Sequence, residues 1–210
     1  MTAKQREAAV KGLRKACPRM RAVIAEVGPC RLNMQRDRFG MLGRSILYQQ
    51  LSGYAAKAIH DRLLAALPEG RLTPDGLAAL TDAQYRASGV SAQKTKYLRS
   101  LGESVAHGAV RLDRIGRLTD EEIIRQLTQV KGIGVWTAQM FLMFSLGRPD
   151  VLPWLDLGVR QAIQNLFGLD DLPDRDACEQ SADAWRPYRT VASWYCWRSL
   201  ELENKGVFFE

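Results

Sequence analysis

The segment Val130-Lys131-Gly132-Ile133-Gly134 separates two stretches with helical apolar spacing, and its composition suits a turn that binds phosphate. Gly132 and Gly134 permit backbone angles that other residues disfavour, so the two helices can be joined by a tight hairpin. Free N–H groups and the helix dipole at the start of the second helix favour a phosphate. Ile133 is expected to point inward and hold the helices together. A plain helical corner that uses glycine as a C-terminal cap is the alternative.

Asp156 is the second residue whose position suggests chemistry. It precedes a predicted helix through Val159, Ile163 and Leu166, so it is an ordinary N-terminal cap by type and position. The same helix end stabilises an ionised carboxylate. The structural and the chemical interpretation of Asp156 are therefore compatible, whereas Asp150 is interpreted as a structural cap or turn residue.

The elements that must position these residues are predicted to be helices throughout. Helix starts are indicated by Pro18 and by capping residues at Thr73, Thr81, Ser91 and Thr119. No run of alternating apolar and polar residues and no strand-joining turn dipeptide stands out. The sequence therefore predicts an all-α fold of about ten or more short helices.

Positive charge is concentrated near the N-terminus. Residues 1–45 contain eleven Lys or Arg and three Asp or Glu. The net charge of this segment, 11 − 3 = +8, exceeds the net charge of +7 for all 210 residues. Such a segment indicates an anionic partner, either nucleic acid or a membrane surface, with a solvated helix face as the alternative.

Composition excludes several classes of protein. With 46% hydrophobic residues the chain is not disordered, and its longest apolar run is shorter than the roughly 18–20 residues of a membrane span. The polar start is unlike a signal peptide, so a soluble intracellular protein of the cytoplasm or nucleoid, without membrane contact, is expected. Four isolated cysteines and two histidines make a zinc site or an iron–sulfur cluster unexpected.

A further segment, Pro149-Asp150-Val151-Leu152-Pro153-Trp154-Leu155-Asp156-Leu157, begins 15 residues after Gly134. Together the two segments resemble the helix–hairpin–helix DNA glycosylase superfamily, and most of all its 3-methyladenine (alkylation repair) branch. The resemblance covers roughly residues 36–200. Three other motifs carry it: Gln49-Gln50-Leu51-Ser52, the stretch 89–98 around Lys94, and the stretch 185–197. Lys131 departs from the family, which usually has proline before the first hairpin glycine.

The resemblance implies a two-lobed helical fold with a DNA cleft between the lobes. The middle lobe, residues 36–149, would carry the wedge loop and the hairpin. Residues 1–35 with 150–210 would form the second lobe, which carries the catalytic aspartate. The basic segment 1–45 would then supply sequence-independent attraction to DNA, secondary to the hairpin's phosphate contacts.

The resemblance also implies roles for individual residues. Asp156 would be the catalytic carboxylate, Gln50 or Leu51 (with Tyr48 as a further alternative) the wedge that fills the gap left by a flipped base, and Trp136, Met140 and Trp197 the base pocket. Each pocket residue has a plain core role as its alternative, and Gln50 has a local backbone bond as its own. Phosphate contacts are expected from Lys131, Gly132, Ile133, Gly134 and Thr137, and a monovalent cation at the carbonyls of Val130 and Ile133.

The activity implied is that of a monofunctional DNA glycosylase, which hydrolyses the N-glycosidic bond of an alkylated base flipped from duplex DNA and leaves an abasic site. Trp136 stands where family members that also cleave the backbone carry a lysine, so no lyase activity is expected. The expected partner is double-stranded DNA with damaged bases; the protein is expected to be a monomer that needs no cofactor. Alternatives are a glycosylase for deaminated, oxidised or mismatched bases, and a non-catalytic DNA-binding protein.

Overall fold

The computed structural model describes residues 1–203, and within that range every regular element is helical, as the sequence predicts. No helix in this range is long and apolar enough to cross a membrane. The chain divides into two compact units. The hairpin unit is Gln35–Phe141, and the aspartate unit combines Met1–Met34 with the chain from Leu142 onward.

The hairpin unit contains seven α-helices. They are α3 (Arg38–Tyr48), α4 (Gly53–Ala66), α5 (Pro74–Ala79), α6 (Asp82–Ala87), α7 (Ala92–Ala106), α8 (Asp120–Leu127) and α9 (Val135–Phe141), with a short 3-10 turn at Ile115–Arg117. Helix α7 packs against α3, α5 and α6, and α9 packs against α3 and α8. Their shared core includes the fully buried aliphatic side chains of Leu42, Ile46, Leu98, Leu101 and Ile123.

The aspartate unit contains α1 (Ala3–Ala16), α2 (Pro18–Val27), α10 (Leu157–Phe167), α11 (Arg175–Ser181) and α12 (Arg189–Glu203). A wide π-helical turn spans Leu142–Leu146, and a 3-10 turn spans Asp183–Trp185. Helix α12 packs against α1, α2 and α10 and is the centre of this unit. Tyr195 on α12 is fully buried, and its hydroxyl donates a 2.9 Å hydrogen bond to the carbonyl of Gly28.

Local sequence determines where most helices begin. Thr73, Thr81, Ser91 and Thr119 each accept a hydrogen bond from a backbone N–H in the first turn of the following helix, so these predicted starts are confirmed. Helix α2 begins at Pro18, where the missing N–H of proline costs nothing.

From the sequence, the second lobe is expected to resume after residue 149. In the structure, the hairpin unit ends at Phe141 and the aspartate unit resumes at Leu142. The packing of Gly147 explains why the intervening residues belong to the aspartate unit. Gly147 has a positive φ of 67°, and a Cβ there would lie 2.2 Å from the backbone nitrogen of Met1 and 3.0 Å from the side chain of Met34. The turn after α9 is therefore packed against the N-terminal part of the chain.

The segment that leads to Asp156 is tied to the first turn of α12. The Thr190 hydroxyl donates to the carbonyl of Arg148 (2.6 Å) and accepts from the N–H of Val151 (3.1 Å), while the Thr190 N–H donates to the carbonyl of Pro149 (3.1 Å). Thr190 is fully buried, so no water replaces these bonds easily.

Asp150 has a structural role, as the sequence suggests. It accepts a backbone hydrogen bond from the first residue of α12, and it also forms an ion pair. Its carboxylate accepts from the Arg189 guanidinium at 2.7 Å and from the Arg189 backbone N–H at 3.4 Å. Arg189 also donates to Glu179 at 2.7 Å, and only 11% of its side chain is exposed. A largely buried charge of this kind must keep its partners, so the network fixes Asp150 against α12.

Replacing Thr190 with valine is expected to destabilise the aspartate unit. The shape of the side chain is kept, but the buried N–H of Val151 and the carbonyl of Arg148 each lose a partner, which should lower the free energy of unfolding by about 1–3 kcal/mol. Thr190→Ser keeps the hydroxyl and is the matched control. Urea unfolding of both variants measures the difference, and equal stability of the two would contradict the assignment.

Candidate active site

Asp156 caps α10, as predicted, and one of its carboxylate oxygens is held from two directions. Its Oδ1 accepts a 2.9 Å hydrogen bond from the backbone N–H of Val159 and a 2.8 Å hydrogen bond from the indole Nε1 of Trp197. The residue is half-buried. Two donors to the same atom restrict rotation of the carboxylate, so Asp156 presents a charged group in one fixed orientation.

Trp197 lies on α12 with 8% of its surface exposed, and its ring stacks on Phe144 with a centroid distance of 5.8 Å and an interplanar angle of 26°. The sequence predicts Trp197 in a base pocket or in the core. Its burial fits the core alternative, and a contact with the base stays a prediction. Its hydrogen bond to Asp156 was not predicted from the sequence. The two residues are 41 positions apart, and no local pattern links them.

Gly158 allows the indole to approach the carboxylate. A Cβ at this position would lie 3.0 Å from Cδ1 of Trp197 and 3.2 Å from Oδ1 of Asp156, both closer than side chains normally pack. A glycine two residues after the cap therefore leaves room for the Asp156–Trp197 hydrogen bond.

Cys196, next to Trp197, is fully buried. Burial, and secondarily the negative charge of Asp156, raise the pKa of its thiol. The thiolate is the nucleophilic form of cysteine, and a raised pKa keeps the thiol protonated. We therefore interpret Cys196 as a core residue and not as a nucleophile.

The hairpin, which we define as Thr128–Gly134 between α8 and α9, depends on Gly132. Its φ is +87°, a region that favours glycine, and a Cβ would lie 2.3 Å from Cγ of Tyr97 on α7. Ile133 is 4% exposed and points inward as predicted, and its N–H donates to the carbonyl of Val130 at 3.0 Å.

Gly134 differs from the expectation, because its φ is not positive. Its carbonyl already accepts the first bond of α9, from the N–H of Ala138 at 3.1 Å, so the residue has the conformation of a helix start. A Cβ on Gly134 would meet no atom within 4 Å. Glycine at this position leaves the hairpin backbone uncovered instead of relieving strain.

The other predicted phosphate contacts differ in exposure. Lys131 is exposed, and its backbone N–H donates to the Ser100 hydroxyl at 3.3 Å. Thr137 is 3% exposed, because it faces the core from the first turn of α9. A phosphate contact by its side chain stays a prediction, and the N–H groups of this helix start are the more available donors.

The described residues contain no group of His, Cys, Asp and Glu side chains that could hold a metal ion. The monovalent cation at the carbonyls of Val130 and Ile133 stays a prediction. The Val130 carbonyl is partly used, since it accepts the N–H of Ile133.

The wedge turn, which we define as Gln49–Ser52, joins α3 to α4. Gln50 is the only non-glycine residue with positive φ (57°) in the described part of the chain, and it is exposed. Leu51 beside it is 39% exposed. Tyr48 is the weaker wedge candidate, because it is half-buried. The Arg44 Cζ lies 4.7 Å from the centroid of the Tyr48 ring, and the centroid of the His60 ring lies 6.3 Å away.

Two side chains that the sequence analysis did not select hold the wedge turn. The Lys94 ammonium donates to the carbonyls of Leu47 (2.6 Å) and Gln49 (2.8 Å), and burial lowers its pKa. The Gln49 side chain donates to the carbonyl of Gly132 in the hairpin at 2.8 Å. The available signal was the motif itself, since Lys94 and Gln49 both lie within segments that carry the family resemblance.

The two other pocket candidates, Trp136 and Met140, lie on α9. Trp136 is 39% exposed in the first turn of the helix, whereas Met140 is 7% exposed and packs in the core. Residues four apart lie on one helix face, so Met140 lies beneath Trp136, one turn further along. A base-binding role stays a prediction for both, with exposure favouring Trp136.

A capped, oriented aspartate and a glycine hairpin in an all-helical chain define a class of DNA repair protein, and comparison with known proteins identifies it. The chain belongs to the HhH-GPD superfamily of base excision DNA repair proteins, whose family model matches residues 44–187.

Individual relatives are similar along nearly the whole chain. DNA-3-methyladenine glycosylase 1 of Schizosaccharomyces pombe is 33% identical over 195 residues, which are 92% of this chain and 86% of that protein. The crystal structure of a DNA-3-methyladenine glycosidase from Bacillus halodurans aligns with a TM-score of 0.84 at 34% identity, over 94% of this chain and 91% of that one. The S. pombe 3-methyladenine DNA glycosylase Mag1 in complex with abasic DNA aligns with a TM-score of 0.82 at 31% identity, over 97% and 100%.

Adding one methyl group should affect stability differently at the two hairpin glycines. Gly132→Ala places a Cβ against Tyr97 at a positive φ and should lower the free energy of unfolding by about 1 kcal/mol or more. Gly134→Ala enters open space and should leave stability nearly unchanged. Thermal unfolding measures both, and a Gly132→Ala variant as stable as Gly134→Ala would contradict the described hairpin.

Proposed function

We propose that this protein is a monofunctional DNA glycosylase that removes alkylated bases of the 3-methyladenine type from duplex DNA. The observation that carries the proposal is the orientation of the Asp156 carboxylate by the Val159 N–H and the Trp197 indole. Membership of a base excision repair superfamily and similarity to proteins named as 3-methyladenine glycosylases support the same assignment.

The reaction requires an anion beside the sugar. As the bond between C1′ and the base nitrogen breaks, positive charge develops on C1′ and the ring oxygen, and a fixed carboxylate stabilises that charge. Water then bonds to C1′ and loses a proton to Asp156, which acts as general base. The products are the free base and an abasic site. The exposed side chains of Leu155 and Leu157 on either side of Asp156 are suited to excluding bulk water when DNA binds.

The target base must leave the base stack before its glycosidic bond can be hydrolysed. This flipping costs a few kcal/mol of free energy, and less for a damaged base. Gln50 and Leu51, both exposed in the wedge turn, are suited to filling the vacated space. The uncovered backbone around Gly134 is suited to binding a phosphate of the same strand. Exposed Lys131 adds a positive charge to that contact.

An alkylated purine such as 3-methyladenine carries a positive charge in DNA and leaves as a neutral base. It therefore needs no strong general acid, and no acid besides Asp156 is assigned. A flat cation is attracted to an indole face, which favours exposed Trp136 as a contact of the base. An oxidised or deaminated base lacks that charge, so this feature favours the alkylated substrate over the other lesion classes.

Sequence-independent attraction to DNA is assigned to the N-terminal helices. Lys4, Lys11 and Lys15 lie on one face of α1, all are exposed, and none has an ion-pair partner within residues 1–203. Their contribution to binding should weaken as salt rises, because it comes from the release of counterions from the phosphate backbone. We propose that the protein acts on damaged duplex DNA as a monomer.

Asp156→Asn is the test of the catalytic assignment. An amide oxygen still accepts the hydrogen bonds of Val159 and Trp197, so folding should persist while the negative charge is lost. Release of 3-methyladenine from methylated duplex DNA should fall by roughly 100-fold or more under single-turnover conditions. Binding of duplex DNA with an abasic site should be retained.

Asp171→Asn is the matched control, because Asp171 is exposed and belongs to neither the cap nor the ion-pair network. Excision by Asp156→Asn at the rate of this control would reject Asp156 as the catalytic residue. Only a wild type that releases no base while it still binds the duplex would favour the non-catalytic DNA-binding alternative.

Borohydride reduction tests the monofunctional assignment separately. A glycosylase that also cleaves the backbone forms a Schiff base between a lysine and C1′, and reduction links enzyme and DNA covalently. With Trp136 in place of that lysine, incubation with damaged DNA and borohydride should yield no cross-linked species on a denaturing gel. A bifunctional glycosylase with its own substrate serves as positive control, and a cross-linked band with this protein would contradict the proposal.

A further inference from the structure

We propose that one face of helix α7, formed by Lys94, Tyr97 and Ser100 and here called the α7 bar, fixes the position of the wedge turn relative to the hairpin, and that Lys94 is the positioning residue for base flipping. The inference rests on the proposed glycosylase function. It concerns three residues spaced one helical turn apart, none of which is assigned a contact with the reacting atoms.

The first end of the α7 bar holds the wedge turn. Helix α3 ends at Tyr48, and its last carbonyls have no following helical turn to accept from. The Lys94 ammonium donates to the Leu47 carbonyl in the last turn of α3 and to the Gln49 carbonyl directly after the helix. The backbone enters the left-handed region at the next residue, Gln50. A cation at a helix C-terminus is also favoured by the helix dipole. Lys94 therefore stabilises the backbone from which the wedge residues project.

The other end of the α7 bar holds the hairpin. The Tyr97 ring, one turn after Lys94, occupies the space where a Cβ of Gly132 would be, with Cγ 2.3 Å from the ideal Cβ position. Ser100, a further turn along, accepts the backbone N–H of Lys131 at 3.3 Å. Both contacts fall at the hairpin residues to which phosphate binding is assigned.

A direct bond closes the connection between the two segments. The Gln49 side chain donates to the carbonyl of Gly132 at 2.8 Å, although the residues are 83 positions apart in sequence. The wedge turn is thus bonded to the hairpin directly through Gln49 and indirectly through the α7 bar. The wedge therefore enters the duplex at a fixed distance from the bound phosphate.

Such preorganisation limits the rate of excision only when a stable base pair has to be opened. A wedge turn that is already ordered loses little conformational freedom on entering the duplex, whereas a loose one must be ordered at that moment. A lesion without a pairing partner is flipped with little help from the wedge. The consequence is a dependence on the opposite strand that a general loss of stability or of chemistry would not produce.

The experiment compares single-turnover excision of 7-methylguanine from two duplexes. In one the lesion lies opposite cytosine, and in the other opposite an abasic-site analogue. Lys94→Met removes the donors and should lower the rate roughly tenfold or more on the paired lesion, but less than about threefold on the unpaired one. Lys94→Arg should restore most of the rate on the paired lesion. Gln49→Ala should have the same selective effect as Lys94→Met.

Lys96→Met is the matched control, because Lys96 is exposed on the same helix and belongs to none of these contacts. It should match the wild type on both duplexes. Equal losses by Lys94→Met on the paired and the unpaired lesion, or no loss on either, would overturn the proposal, as would a loss by Lys96→Met of the same size.

A binding measurement separates this inference from the proposed function. 2-Aminopurine placed beside an abasic-site analogue becomes more fluorescent when the wedge unstacks it, and this signal requires no catalysis. If the wild type excised neither duplex and released no 3-methyladenine from methylated DNA, the proposed function would fail. The α7 bar would still be supported by a fluorescence rise that Lys94→Met lowers and Lys96→Met does not, and overturned by equal rises in all three proteins.

Discussion

The hydrogen bond from the Trp197 indole to Asp156 is the contact on which the candidate active site depends. With the backbone N–H of Val159 as its only donor, the carboxylate would be an ordinary helix cap that could still rotate. The indole adds a second donor to the same oxygen from a different helix, and the glycine at position 158 leaves the space for it. Helix α12 supplies this donor, and two turns earlier it also supplies Arg189 and Thr190, which hold the segment leading to Asp156. One buried helix thus fixes both the approach to the aspartate and the orientation of its charge.

The hairpin unit uses the same arrangement. Helix α7 carries Lys94, Tyr97 and Ser100 on one face, and these contact two segments that are far apart in sequence. In each unit, a regular helix in the centre holds irregular backbone that is assigned to DNA. Irregular backbone is the flexible part of most proteins, and packing against a rigid helix limits that flexibility where geometry has to be maintained.

Local features of the sequence predicted much of this structure. Capping residues, a proline at a helix start and the Gly-Ile-Gly hairpin act within a few positions, so the helical fold and the cap role of Asp156 could be derived from the residues themselves. Contacts over a longer range could not. Trp197 meets Asp156 across 41 positions and Lys94 meets Leu47 across 47, and both depend on how helices pack. The conformation of Gly134 was also wrong in the prediction, because glycine type alone does not distinguish a residue that needs a positive φ from one that leaves space.

The central claim, that Asp156 acts because the indole of Trp197 fixes its carboxylate, is tested most directly by Trp197→Phe. This change keeps an aromatic ring against Phe144 and removes only the N–H that reaches Oδ1. The measurement is the single-turnover rate of 3-methyladenine release from methylated duplex DNA, alongside the affinity for abasic duplex. The account predicts a rate lower by roughly tenfold or more with affinity retained, the loss expected for one hydrogen bond to a charged group. A phenylalanine variant that releases the base at the wild-type rate would contradict it.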